Sequence, residues 1–356
     1  MPLFKRPLFK RPGLQRRRAA PAGGDPIAAF WAWWTASGAA EIAAAISRKD
    51  PGSTADLLSR YVSRIHPNLD WELGAGLHAR HVLVVTAAGD PGTRAIARRW
   101  LRAAPVSDEL WEYADMRRPA PDVTIRFEGM PPVQIDAALV SIEPDTREAA
   151  LHVAVHHPTF RELPEDLQKR VTFLLLDLVL GEELVETWVG AIDTAVEQPA
   201  DAVPIAELLP AVASFAAAHV ADDGGPSWRL MEGTTEAGDR LVATAMVPLR
   251  SIQMPHLDTH VAVLVPYLDA REDGLPQDDA LSHLRDFEDH LSDRLGDSGR
   301  LLAHETAAGS RILHYYVDGT TPAAAQLQAA VSGWPDGPVH LKASPDPAWE
   351  HVRHLS

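Results

Sequence analysis

A histidine, an aspartate and a second histidine alternate at the start of a strand-like segment: His256, Asp258 and His260. On an extended strand these three side chains would share one face. Two imidazoles and a carboxylate form a ligand set suited to zinc or iron(II). The same alternation is also typical of the polar side of a strand start. The segment therefore predicts either a metal site, as in a metal-dependent hydrolase, or an ordinary strand face. Because no supporting motif surrounds it, we expect no bound cofactor.

Other candidates for chemistry are weaker. His156 lies in line with His152 on a predicted strand, but His157 points to the opposite side because neighbouring strand residues alternate. The chain contains no cysteine, which excludes disulfides and thiolate chemistry, and it lacks the Gly-x-Ser-x-Gly turn of many serine hydrolases. We therefore assign no catalytic residue and do not expect an enzyme.

Aromatic residues suggest binding rather than catalysis. Trp31, Trp33 and Trp34 lie with Phe30 in the first predicted helix, which Asp25 and Pro26 would cap and begin. They could be core anchors, or they could line a groove, since aromatic clusters are common at interfaces.

A second aromatic candidate is the pair Tyr315 and Tyr316 on a predicted strand. Such a pair could stack on nucleic-acid bases, but adjacent strand positions put one ring on each face. We count both tyrosines among the candidate binding residues.

The elements that would position these residues are clearest near the C-terminus. Alternation predicts strands over 259–268, 300–306 and 311–318, and a period of 3.6 predicts a helix over 277–295. Both faces of the first strand are largely apolar, which indicates a central strand covered on both sides. The last domain should follow the order β-β-β-α-β-β-α-β, an α+β sandwich of ferredoxin-like type.

One ion pair should join that helix to the sheet. Glu288 borders the apolar stripe of the predicted helix, and Arg311 opens a largely apolar strand. Both charges should therefore meet at the boundary between helix and sheet. We expect the pair to fix the helix and to contribute to a binding surface.

Charge and composition limit the possible partners. The formal net charge is −16, although residues 1–18 carry seven Lys and Arg and no acid. An acidic body repels phosphate backbones, so nucleic-acid binding is not expected outside this basic tail. No apolar run is long enough for a membrane span, and the basic N-terminus lacks the apolar core of a secretory signal. We expect a cytoplasmic protein whose partner is another protein; the sequence does not specify its oligomeric state.

Breaks rich in proline, glycine and acids predict the domain organisation. Residues 1–25 form a basic tail with the composition of a disordered segment. An N-terminal α+β domain follows over 26–200, then a helical connector and linker over 201–225, ending in Asp-Asp-Gly-Gly-Pro. The C-terminal domain covers 226–356.

Several short motifs resemble a known family. In the C-terminal part they are Gly274-Leu275-Pro276, Phe287-Glu288-Asp289, Thr306 to Arg311, Tyr315 to Asp318 and Asp346 to Trp349. With them, residues 226–353 resemble the bacterial "domain of unknown function 695" family. The aromatic run at Phe30 to Trp34 resembles a region commonly fused to it. The resemblance implies a ferredoxin-like domain similar to the regulators of RNase E activity of family B. It implies no reaction and no catalytic residues.

Three functions fit these observations. The first is a non-enzymatic module that binds or regulates another protein, which the acidic charge and the lack of catalytic motifs favour. The second is a metal-dependent hydrolase using His256, Asp258 and His260. The third is a regulator of an RNA-processing enzyme that acts by protein contact.

Overall fold

The computed structural model describes residues 24–120, 125 and 132–356. Apart from its last two residues, the predicted basic tail lies outside this part of the chain. The chain divides into two compact units, one ending at Pro119 and one beginning at Ala120. None of the described helices is both long and apolar enough to cross a membrane.

The first unit packs four α-helices with a three-stranded sheet. The helices are α1 (Pro26–Trp33), α2 (Ala39–Ser47), α3 (Pro51–Ile65) and α4 (Pro91–Arg102), with a π-helical turn (Trp34–Gly38) between α1 and α2. The strands are β1 (Asp70–Gly74), β2 (His81–Thr86) and β3 (Trp111–Ala114). β2 is central, antiparallel to β1 and parallel to β3, so that α4 is the crossover between β2 and β3.

Helix α1 begins as its sequence predicts. The Asp25 carboxylate accepts a hydrogen bond from the Ile27 amide at 2.9 Å, and Pro26 occupies the first turn. Phe30, Trp31 and Trp34 are buried in the core of this unit with Trp100 and Trp111.

The second unit begins with a four-stranded sheet of order β6-β5-β4-β7 and two helices. Its elements are β4 (Leu139–Asp145), β5 (Ala150–His156), α5 (Glu165–Trp188), β6 (Val189–Ala195), β7 (Val203–Pro204) and α6 (Leu208–Ala217). Helix α5 is broken at Gly181, whose φ of 78° is not helical, and a further helical segment continues to Trp188.

The predicted connector adds to this part of the unit. Strand β7 pairs with β4, and Leu208 and Val212 are buried in the same core as Leu175. The domain boundaries at residues 200 and 225 stay a prediction.

The unit continues with a six-stranded antiparallel sheet. Its elements are β8 (Ser227–Thr234), β9 (Arg240–Val247), β10 (Thr259–Pro266), α7 (Asp278–Leu295), β11 (Gly299–Ala307), β12 (Ser310–Val317), α8 (Ala323–Ala330) and β13 (His340–Pro345). The strand order is β13-β10-β12-β11-β9-β8. The α+β class and the order of helices and strands are confirmed; the ferredoxin-like type stays a prediction.

Both faces of the central strands are covered, as the apolar pattern predicts. On one side, which we call the helix face, Val263 and Tyr315 pack with Leu284 of α7 and Leu327 of α8. On the other, which we call the C-terminal face, Tyr316 packs with residues of a final 3-10 helix (Glu350–Leu355). Strand β8 lies at the edge of the sheet beyond β9.

Candidate functional site

A buried ion pair joins α7 to the helix face. The Arg311 guanidinium donates to Glu288 Oε1 at 2.6 Å and, through Nε, to the Thr306 hydroxyl at 2.9 Å. The side chains of Arg311 and Glu288 are only 5% and 11% exposed. His304 Nδ1 lies 3.4 Å from the same carboxylate oxygen. The predicted pairing of Glu288 with Arg311 is therefore confirmed, while its part in a binding surface stays a prediction.

The electrostatics of this group explain why Glu288 stays charged. Burial alone would raise the pKa of its carboxyl, but His304 and Arg311 outweigh burial and hold the pKa below its ordinary value. The Tyr315 hydroxyl donates to the main-chain carbonyl of Glu288 at 3.0 Å. The ion pair and this hydrogen bond together hold α7 against β12.

Histidines from two strands and the C-terminal segment meet on the opposite face of the sheet. His314 Nε2 lies 3.0 Å from Glu305 Oε1, and His260 Nε2 lies 3.0 Å from His314 Nδ1. His354 Nε2 approaches the same Glu305 oxygen at 3.1 Å. The hydrogen bond from His314, more than any other contact, holds the pKa of Glu305 below its ordinary value, so the group accepts as a carboxylate.

This order of contacts fixes the direction of the hydrogen bonds. Because Glu305 accepts from Nε2 of His314, the tautomer of His314 with its proton on Nε2 accepts at Nδ1, and His260 then donates to it through Nε2. His351 stacks on His260 with ring centroids 4.6 Å apart. Burial, with His314 and His351 nearby, lowers the pKa of His260 to about 3. His260 is therefore a neutral imidazole near pH 7.

The Asp346 carboxylate fixes the C-terminal segment on this face. It accepts from the Tyr316 hydroxyl at 2.6 Å and from the amides of Glu350 and His351 at 2.9 Å each. Trp349 Nε1 donates to the carbonyl of Leu257 at 2.9 Å. The late Asp-Pro-Ala-Trp motif thus acts as a structural clasp.

Of the three predicted metal ligands, only His260 lies within β10. His256 lies in a turn before β10, and Asp258 Oδ1 accepts from the Gly319 amide at 3.0 Å. His260 contacts His314 and His351, as described above. A metal at His256, Asp258 and His260 therefore stays a prediction that these contacts do not favour.

Within the described ranges, another set has its ligand atoms close together: Asp145, Glu148 and His152. His152 Nδ1 accepts from the Ala191 amide at 3.0 Å, so the neutral ring carries its proton on Nε2, the nitrogen that faces Asp145 at 3.5 Å. A protonated nitrogen cannot bind a metal ion, so this set suits a hydrogen bond better than a cation.

The turn that follows Asp145 connects the two sheets of the second unit. The Arg229 guanidinium donates to the main-chain carbonyls of Arg147 and Thr146, the latter at 2.9 Å. Arg250 donates to the carbonyl of Glu148 at 3.5 Å. Arg229 of β8 and Arg250, which follows β9, thus bind three consecutive carbonyls of the β4–β5 turn.

Large apolar side chains are exposed on β8. Trp228 is 44% and Leu230 66% exposed, and both lie on the helix face. Leu230 pairs with Thr244 of β9, which in turn pairs with His304 of β11, the neighbour of Glu288. The open part of the helix face therefore extends from β8 towards the Glu288–Arg311 pair. This is the candidate binding site.

The candidate aromatic residues lie mainly in cores. Trp31 and Trp34 are 5% and 1% exposed, and Tyr315 and Tyr316 are fully buried, one on each face as the alternation predicts. Trp33 is half-buried and stacks on Tyr61 with centroids 3.7 Å apart. Burial in a core therefore accounts for Trp31, Trp34, Tyr315 and Tyr316. Only Trp33 is exposed enough to favour the predicted role in binding.

Sequence reasoning missed Trp228 and Leu230. The exposed apolar side chains of an edge strand alternate like those of a half-buried one, so only the strand order reveals them. It also missed Glu305, His314, His351 and His354, which belong to distant segments.

Together the fold and site define an α+β protein whose sheet carries two buried polar clusters and one open apolar edge. Residues 226–355 match the model of a family of unknown function, DUF695. This match confirms the resemblance of the C-terminal part; similarity to regulators of RNase E activity stays a prediction. No curated protein and no solved structure matches the chain.

Proposed function

We propose that this protein is a non-enzymatic module that binds another protein through the open end of its six-stranded sheet. The observation that carries the proposal is the exposure of Trp228 and Leu230 side by side on β8. Apolar side chains of this size on one surface are typical of a binding site, and tryptophan is enriched among residues that dominate binding energy.

The polar clusters support a structural role for the rest of the domain. Arg311 and Glu288 neutralise each other, and Asp346 is occupied by three donors. Groups satisfied in this way hold a scaffold in place and are poorly suited to attack a substrate. A rigid scaffold that presents an apolar edge suits recognition.

The regulator of an RNA-processing enzyme is a special case of this proposal in which that enzyme is the partner. The metal-dependent hydrolase has no comparable support, because the contacts of Asp258 and His260 serve the fold. The proposal keeps the cytoplasmic location expected from the sequence.

Photocrosslinking in the source cells tests the proposal. A photoreactive amino acid replaces Leu230 in one chain and Val106, which is 94% exposed in the other unit, in a matched control. We expect a defined protein adduct from position 230 that is absent from position 106 and is lost when Trp228→Lys is added. No adduct at 230, or the same adducts at both positions, would overturn the proposal.

A further inference from the structure

The main chain of β8 has an open side. In the β8–β9 hairpin, the Thr235 amide donates to the Asp239 carbonyl at 2.9 Å, so Thr235 faces its partner strand. Backbone groups alternate in direction along a strand, so Arg229, Met231 and Gly233 also face β9, while Leu230 and Glu232 face away. Among the described residues no strand pairs with β8 on that side, although the amide of its first residue, Ser227, donates to the His219 carbonyl at 3.4 Å. The edge therefore offers amide donors and carbonyl acceptors to an extended chain.

The side chains on the same residues suit such an addition. Leu230 and Glu232 lie on the helix face, where Leu230 is exposed. On the other face Met231 packs against the core, and the Arg229 guanidinium is held by the β4–β5 turn. An added strand could therefore place alternate apolar side chains beside Trp228 and Leu230 without displacing a packed residue.

Charge decides what kind of segment fits. Acids lie at both ends of β8: Asp222 and Asp223 precede it, and Glu236 and Asp239 lie at its far end. The basic residues there are already engaged, Arg229 by carbonyls and Arg240 by Glu232 and Asp273 at 3.1 Å each. A segment with lysine or arginine on both sides of its apolar centre complements this edge.

The same charges argue against a second copy as the occupant. In an antiparallel pairing of β8 with itself, Asp222 and Asp223 of one copy would approach the acidic far end of the other. Like charges in that arrangement repel each other.

We propose that β8 accepts an extended, basic segment of a partner protein as a seventh strand of the sheet. This inference rests on the proposed function and specifies its partner: main-chain hydrogen bonds supply affinity, and contact with the exposed side chains of Trp228 and Leu230 selects alternate apolar side chains.

A random dodecapeptide library displayed on phage tests the choice of segment. We expect the full chain to select peptides with alternating β-branched or aromatic residues between lysines or arginines, and without a central proline. Synthetic copies with alternate backbone amides methylated on the bonding edge should bind at least about tenfold more weakly. Copies with acidic residues in place of the flanking lysines or arginines should also lose binding. Added salt should weaken the binding of the parent peptide. Selection of acidic or helical peptides, or of none, would overturn the inference.

Substitution in β8 tests the backbone contribution. Leu230→Pro removes an amide that faces the open edge, and Leu230→Val keeps that amide with a smaller apolar side chain. Binding of the selected peptide should fall at least about tenfold in Leu230→Pro relative to Leu230→Val. Equal binding by both variants would overturn strand addition.

The outcomes separate the two proposals. An adduct at position 230 that survives Leu230→Pro would keep the function and reject strand addition. Failure to crosslink any protein at position 230 would reject the function itself. A concentration-dependent dimer, seen by sedimentation of the full chain and lost in Leu230→Pro, would reject the basic segment in favour of a second copy.

Discussion

Lowering the pH should weaken the six-stranded sheet through His260. This residue is 5% exposed, and burial, with His314 and His351, lowers its pKa to about 3 from an ordinary 6.5. Lys342 adds to this effect and Asp346 opposes it. Between pH 6.5 and 3 the unfolded chain therefore binds a proton at His260 that the folded chain does not. Stability from this group is complete above about pH 6.5 and is lost as the pH falls.

The size of the effect follows from the shift. Each pH unit below the unfolded value costs about 1.4 kcal/mol. From pH 8 to pH 5 the free energy of opening around His260 should thus fall by about 2 kcal/mol, and below pH 3 the loss approaches about 5 kcal/mol. At pH 5 this corresponds to a roughly 30-fold rise in the open population.

Hydrogen exchange of the β10 amides measures this locally. The amides of Val261 and Val263, once corrected for intrinsic rates, should lose about 30-fold protection between pH 8 and pH 5. In His260→Gln, the side-chain amide can still donate to His314 but cannot titrate, so most of that loss should disappear. His340→Gln, at an exposed histidine of β13, should behave as the wild type. If His260→Gln and the wild type lost equal protection, the assignment of the pH dependence to His260 would be wrong.

Four further predictions follow from the contacts of the second unit. Glu288→Gln and Arg311→Met should each cost about 3–5 kcal/mol because the remaining partner is left buried; a double-mutant cycle by chemical denaturation should show coupling, and additivity within about 0.5 kcal/mol would contradict the pair. Tyr316→Phe should cost about 1–3 kcal/mol and speed amide exchange in the C-terminal segment; unchanged exchange would argue against the clasp. Leu230→Pro should lower the unfolding midpoint much less than Met231→Pro, whose amide faces β9; equal losses would reverse our assignment of the edge. If the predicted linker is accessible, limited proteolysis should cut within Asp222 to Pro226; cuts confined to Val261 to Val317 would contradict the predicted domain division.

Much of the second sheet could be predicted because its signals are local. The alternation of Val261, Val263 and Val265 defines a strand, and the spacing of Leu284 and Leu291 defines a helix. The Glu288–Arg311 pair could be predicted as well, because each residue borders an apolar stripe that must be buried. Such inferences need only the geometry of one element at a time.

The remaining features depend on strand order and on distant segments. Nothing near His314 indicates that His260 and Glu305 will lie on its two sides, since β12 lies between β10 and β11 only in the folded sheet. The alternation from His256 to His260 likewise predicts one strand face, whereas His256 lies in a turn before β10. The break of α5 at Gly181 is also hidden in the sequence, because a glycine signals the same departure from helical geometry within a helix as at its end.

The hydrogen bonds from Arg229 and Arg250 to the β4–β5 turn suggest which substitutions this chain would tolerate during evolution. Both guanidiniums bind main-chain carbonyls, which are present whatever side chains Thr146, Arg147 and Glu148 carry. Descendants should therefore diverge freely in the sequence of the turn while retaining its conformation. The two arginines, in contrast, should persist, because lysine cannot reproduce the forked donation of Arg229.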